Sequence, residues 1–291
     1  MTYIEEKGYL NLLSDLIQSP IKSGRNGITL SLFAINYKFS LTDGFPLLTT
    51  KKMYYKGIIA ELLWFLKGET NSKILEEQNV NIWKGNSSQE FINFLNLPYT
   101  EGECGPIYGW QWRNFNASYP DKKEKGFDQL RYIIDEIKKG SRRAVLSAWN
   151  PQQLNEMVLP PCHILYTFYK DDDNNLSCHL FMRSNDTFLG FPFNLASLSL
   201  LTHIIAICTN TKPKEVSISV TDAHLYIEHI DQVKIQISRE PFKKPFLHIK
   251  NVPKKQLNTD EAIQWIENLQ LSDFQFTEYN SHDKITANMV V

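Results

Sequence analysis

The 291-residue sequence has almost no surplus of charge: 31 Lys and Arg stand against 32 Asp and Glu, a net charge of −1. That balance argues against the broad phosphate-neutralising surface on which nucleic-acid affinity rests, so a nucleic-acid partner is not expected. Cysteine is scarce as well. Cys104, Cys162, Cys178 and Cys208 form no CxxC pair, which leaves no disulfide framework and no structural zinc site to expect, and points to a reduced, cytoplasmic protein. Long apolar runs are missing: residues 58–66 and 198–208 carry Glu61 and His203 and are too short to cross a bilayer, so no membrane contact is expected. Residues 1–10 lack the basic start and apolar run of a signal peptide and are too acidic for a transit peptide. What is present is ordinary globular composition, 42% hydrophobic and 22% charged, enough for a large core.

Apolar residues at helical spacing predict helices over 3–18, 54–67, 89–97, 127–138, 193–208 and 259–269. Alternation predicts a strand over 29–41, apolar runs joined by a hairpin turn predict strands over 164–169 and 176–182, and further strands are expected over 144–149 and near 216–219 and 235–237. The mixture is of α/β type. Asp171, Asp172 and Asp173 lack the alternating ligand spacing of a calcium loop and read as a hairpin turn, so no metal is expected there.

The chemistry concentrates around Leu159-Pro160-Pro161-Cys162-His163. Two prolines fix their own φ angles and present Cys162 on a rigid segment. An isolated cysteine is more often an inert small hydrophobe. Here Arg183, His163, Arg142 and Arg143 are cationic groups that would stabilise a thiolate or a bound anion if the fold gathers them. As a neighbour in a strand, His163 is poorly placed to be the base of a cysteine hydrolase. Glu61, set among Ile58, Ile59, Leu62, Leu63, Trp64 and Phe65, is either the exposed stripe of an amphipathic helix or a buried carboxyl. In the second case its pKa is raised and suits proton transfer near neutrality. Trp83 is either a core residue or a platform for a flat ring. Arg25, between Gly24 and Gly27, suits a solvated turn or a phosphate loop.

The segments 159–163, Arg183-Ser184-x-Asp186, Gly190-x-Pro192-Phe193-Asn194-x-Ala196-Ser197 and Asp222-Ala223-His224-Leu225-Tyr226, in that order, resemble the thymidylate synthase family from about Arg25 to the end of the chain. The resemblance implies one catalytic domain over 1–291, α/β with a large twisted mixed sheet flanked by helices, and a homodimer formed through the sheet face. It implies reductive methylation of dUMP to dTMP with 5,10-methylenetetrahydrofolate as cosubstrate and no metal. Cys162 would add to C6 of the base, supported by Glu61, Tyr108, Asn194, Arg183 and Asp186. The nucleotide would be held by Arg25, His163, Arg183, Ser184, Asn194, His224 and Tyr226, and by Arg142 and Arg143 of the partner subunit. The amide of Asn194 can read the O4 and N3–H edge of uracil. Ile82, Trp83, Asn86, Asp186, Leu189, Gly190, Phe193, Met289 and Val290 would line the folate side, with Val291 on a closing tail.

Several positions depart from the family pattern. The Arg25 loop is one residue short, Lys84 replaces an aspartate, Met182 a glutamine, Thr221 a glycine and Thr286 a lysine. The segment 182–186 also resembles pyrimidine nucleotide hydroxymethylases, in which water takes the place of hydride. Asn194, where an acid would mark a cytosine-specific hydroxymethylase, favours the synthase, as do Trp83 and Leu159, which help keep water out. A non-catalytic nucleotide- or RNA-binding role is the third reading.

Overall fold

The structure is a computed structural model that describes residues 4–24, 26–121 and 126–290. Its organising strand is β5 (Asn175–Asp186), along which Leu176, Cys178, Leu180 and Met182 are buried while Ser177 and His179 are half-exposed and Phe181 is exposed. A strand with period two can bury one face only, so a core must lie on one side of the sheet and a bare face on the other. The described residues of the chain run α1 (Glu5–Ile17), β1 (Ile21–Gly24), β2 (Gly27–Ser40), α2 (Tyr55–Leu66), α3 (Lys73–Glu76), α4 (Gln89–Phe94), α5 (Tyr108–Asn114), α6 (Gln129–Lys138), β3 (Val145–Ser147) and β4 (His163–Lys170), then β5. After it come α7 (Gly190–Thr209), β6 (Lys212–Tyr226), α8 (Ile230–Ile237), β7 (Phe246–Ile249), α9 (Thr259–Asn268) and β8 (Phe274–Thr277).

Among the described residues, six strands form one mixed sheet in the order β1-β2-β6-β5-β4-β3, in which only β5 and β6 pair in parallel, through the crossover helix α7. Helices α1, α6 and α7 pack on its buried face, and α2 packs on α7. Helix α7 is 20 residues long and apolar enough to cross a membrane by composition, a length that the expected 193–208 underestimated. With 78% of its most apolar window buried, it is the core helix of this domain. The opposite sheet face is uncovered: Phe33, Tyr169 and Phe181 are 84, 64 and 38% exposed.

Most expected elements stand within a few residues of their predicted bounds. Residues 235–237 do not: they form the last turn of α8, not a strand. Isoleucines at 235 and 237 mimic strand alternation, but Ile230, Val233 and Ile237 repeat at helical spacing and are the ones that meet the core. The short β7–β8 pair and helix α5 were not anticipated. The three aspartates do make a turn, with Asp171 accepting from the Asn175 backbone N–H at 2.8 Å and from Lys214 at 2.9 Å.

Candidate active site

Cys162 ends the proline segment just before β4, half-buried. Its backbone N–H donates to Tyr108 Oη at 2.8 Å and its carbonyl accepts from the Arg183 N–H at 3.0 Å. The prolines contribute more than stiffness. Arg183 donates through Nε to the Pro161 carbonyl at 2.9 Å and through Nη2 to the Pro160 carbonyl at 2.8 Å, which brings Nη2 to 3.5 Å from Cys162 Sγ. The guanidinium opposes the effect of burial on the thiol, but burial is the larger influence and the Cys162 pKa lies above its ordinary value. The other three cysteines are free and buried.

Tyr108 opens α5, with Gly105 letting the preceding chain pass close to Glu156 and Gly109 letting the helix approach Phe65 of α2. Gly105 has φ +75°, and a Cβ there would stand 2.1 Å from the Glu156 carbonyl oxygen; at Gly109 it would meet the Glu69 and Phe65 carbonyl oxygens at 2.9 and 3.0 Å. The buried Tyr108 ring lies against Phe65 and Trp83, with centroids at 4.8 and 6.0 Å, and its phenol is close enough to Glu61, Cys162 and Arg183 to feel all three charges.

Glu61 sits mid-way along α2, where nine of twelve residues are buried. Burial pushes its pKa from 4.5 up to about 7, while the Trp83 Nε1–H, donating to Oε1 at 2.8 Å, pulls the other way. The carboxyl expected from its apolar neighbours is therefore present, poised near neutrality. Trp83 is 7% exposed, in contact with Trp64 at 5.7 Å between centroids. It is a core residue whose indole N–H tunes Glu61, a link that the sequence did not reveal.

His163 is corrected in one respect: burial lowers its pKa to about 3, so it is no cation beside the thiol. Its ring stacks on Tyr108 at 4.0 Å and its Nδ1 shares a 2.7 Å hydrogen bond with Tyr166 Oη. Arg142 and Arg143 are exposed on the turn before edge strand β3 and are not gathered around Cys162 of their own chain. Arg25 lies outside the described residues.

The parallel register of β5 and β6 sets Ser184 opposite Asp222 and Asp186 opposite His224. Ser184 Oγ and His224 Nδ1 share a hydrogen bond at 3.3 Å, and the His224 and Tyr226 rings meet edge-on at 5.4 Å. Asp186 Oδ1 accepts from the backbone N–H groups of Phe188 and Leu189 at 2.9 and 3.0 Å, which bends the chain into α7. Two residues missed by sequence reasoning hold that bend: Tyr9 donates to the Thr187 carbonyl at 3.0 Å and Lys51 Nζ to the Phe188 carbonyl at 2.5 Å. Burial lowers the Lys51 pKa to about 7.

Gly190, Phe193 and Asn194 follow on α7, half-buried; Asn194 lies in its second turn because the helix begins earlier than predicted. Asn194 Oδ1 accepts from Asn185 Nδ2 at 2.9 Å. Leu189, Ile82 and Asn86 are half-buried. The tail returns to the Phe188 neighbourhood, where His229 Nε2 donates to the Asn288 carbonyl at 2.9 Å and stacks obliquely on Phe188 at 5.6 Å. Met289 is 52% exposed, Val290 half-buried, and Val291 lies outside the described residues.

The family model described as Thymidylate synthase matches residues 7–291. The chain is 42% identical over 295 residues to the thymidylate synthase of Homo sapiens, covering 98% of this chain and 91% of that protein. It is also 42% identical to the thymidylate synthase of Malacoplasma penetrans, covering 98% of this chain and 100% of that protein. With the bifunctional dihydrofolate reductase-thymidylate synthase of Zea mays the identity is 44%, but the chain spans only about half of that longer relative, 55%. Matched along nearly its whole length, the chain belongs to the thymidylate synthase family.

Proposed function

We propose that the protein converts dUMP to dTMP, taking both the methylene group and a hydride from 5,10-methylenetetrahydrofolate and releasing dihydrofolate. The observation that carries this reading is the Cys162 thiol fixed beside the Arg183 guanidinium, with a carboxyl of pKa about 7 on the other side of Tyr108. Carbon 5 of a uracil is a weak nucleophile. Bond formation between Cys162 Sγ and carbon 6 pushes the ring π electrons toward O4 and makes carbon 5 nucleophilic enough to attack the methylene carbon. The thiol proton would pass through water to Glu61, and loss of the carbon 5 proton by the same route would break the bond from the methylene carbon to the folate nitrogen, which takes up a proton and leaves an exocyclic methylene on carbon 5. Hydride transfer to that methylene carbon would complete the methyl group, and the ring electrons would then re-form the C5–C6 double bond as the C6–S pair leaves with Cys162 Sγ, which regains its proton.

Arg183 and Ser184 would hold the phosphate, joined by Arg25 and by Arg142 and Arg143 of the partner subunit; His224 and Tyr226 would hold the ribose. The uncovered sheet face, with Phe181 and Tyr169, would pair with a second copy. Half-buried Ile82, Leu189 and Phe193 would give the folate apolar contacts and the Asp186 carboxylate a polar anchor for the N–H groups of the pterin. Four free thiols suit a reducing compartment, the cytosol.

The test is product analysis of purified protein with dUMP and methylenetetrahydrofolate by mass spectrometry. dTMP with dihydrofolate is the expected result; hydroxymethyl nucleotide with tetrahydrofolate would replace hydride by water and make the protein a hydroxymethylase. Cys162→Ser should lose turnover and keep nucleotide binding.

A further inference from the structure

Behind Asn194 stand two side chains that the proposed reaction leaves without a role. Met182 is fully buried on β5, and Asn185, three residues on, is 4% exposed. Asn185 Nδ2 donates to Asn194 Oδ1 at 2.9 Å and lies 3.7 Å from Met182 Sδ, so the two amide protons meet two acceptors. Its own Oδ1 is buried without a partner. A thioether has no proton to give. If the Asn185 amide turned over, its oxygen would face the Met182 sulfur and the Asn194 oxygen, two acceptors in place of two donor contacts.

We propose that Met182 and Asn185 are positioning residues that lock the Asn194 amide in one orientation, so that the site accepts a pyrimidine edge with a carbonyl beside a ring N–H and rejects the inverted edge of cytosine. The inference rests on the nucleotide reading above. An amide presents a donor and an acceptor of nearly equal size, and free to turn over it would read either edge. Asn185 donates to its oxygen and excludes the turned form.

The experiment compares dissociation constants of dUMP and dCMP by calorimetry for the wild type, Asn185→Asp and Met182→Leu, each as the full chain. Asn185→Asp keeps the shape but replaces the donor with an acceptor, which Asn194 satisfies by turning its NH2 toward it. The preference for dUMP over dCMP is expected to fall about tenfold, the worth of one such hydrogen bond. Met182→Leu keeps the volume, removes the sulfur acceptor and should lower the preference about threefold, within the range of a weak contact. A merely structural role would weaken both nucleotides alike, and an unchanged ratio in Asn185→Asp would overturn the proposal. Where Asn185→Asp fails to fold, an unchanged ratio in Met182→Leu does the same. A wild type that binds neither nucleotide would remove the functional reading and the inference together, whereas a dUMP-selective wild type with unaltered ratios in the variants removes only the inference.

Discussion

Replacing Trp83 with Phe should move the pH profile of the enzyme without rebuilding its site. The indole packs among Trp64, Phe65 and Tyr108, contacts that a phenyl ring largely keeps, but its Nε1–H is the hydrogen bond that holds the Glu61 carboxylate, at 2.8 Å. Two opposing effects set the Glu61 pKa near 7: burial raises it and Trp83 lowers it. A hydrogen bond to a charged group contributes about 1.5–3 kcal/mol, and at about 1.4 kcal/mol per pH unit its loss lifts the Glu61 ionisation by about one to two units. With the ionised carboxylate as proton acceptor, the acid limb of kcat lies near pH 7 in the wild type and moves up by that interval in Trp83→Phe. At pH 7, where the wild-type carboxyl is about half ionised, the variant should turn over about five- to fiftyfold more slowly and recover most of the loss in alkaline buffer. The assay is kcat against pH under saturating substrates, with a urea midpoint for each protein as a control on folding. A limb that stays in place while kcat drops evenly at every pH would refute the reasoning, since Trp83 would then act through packing alone.

The same carboxyl gives a stability test. A carboxyl raised from 4.5 to about 7 binds its proton more tightly in the folded chain, so its ionisation costs stability progressively from about pH 4.5 upward until it is complete above 7. Glu61→Gln should therefore gain up to roughly 3 kcal/mol over the wild type at pH 8 and little at pH 4, as read by urea unfolding, and a difference independent of pH would count against the buried carboxyl. Tyr108→Phe strips the Cys162 N–H of its acceptor, a penalty of about 1–3 kcal/mol in a buried group. It should lower kcat at least about tenfold with dUMP affinity nearly intact; a change confined to KM would show that the phenol positions nucleotide and not the nucleophile. Phe181→Arg sets a charge on the uncovered sheet face, and sedimentation should find a dimer for the wild type and a monomer for the variant. Equal masses for the two would remove the sheet-face pairing.

Local pattern was enough for much of the scaffold and part of the chemistry. The apolar run 176–182 was legible as a strand, the apolar neighbours of Glu61 offered a buried carboxyl with a raised pKa as one of two readings, and the two prolines pointed to a rigid mount for Cys162. The pattern failed where two periodicities overlap: isoleucines at 235 and 237 satisfied a strand rule, and only packing of Ile230, Val233 and Ile237 against the core made that segment helical. Contacts between distant residues were out of reach. Tyr108 meets Cys162 across 54 positions, Trp83 meets Glu61 across 22, and the carbonyls of Pro160 and Pro161 aim Arg183 at the sulfur. His163 shows the difference most plainly. Its residue type suggested a cation beside the thiol, but enclosure between Tyr108 and Tyr166 leaves it neutral. Residue type and spacing determine which groups are available and which face of an element they share. Burial and approach across the chain, which set charge and orientation through desolvation and hydrogen bonding, were decided only by the tertiary structure.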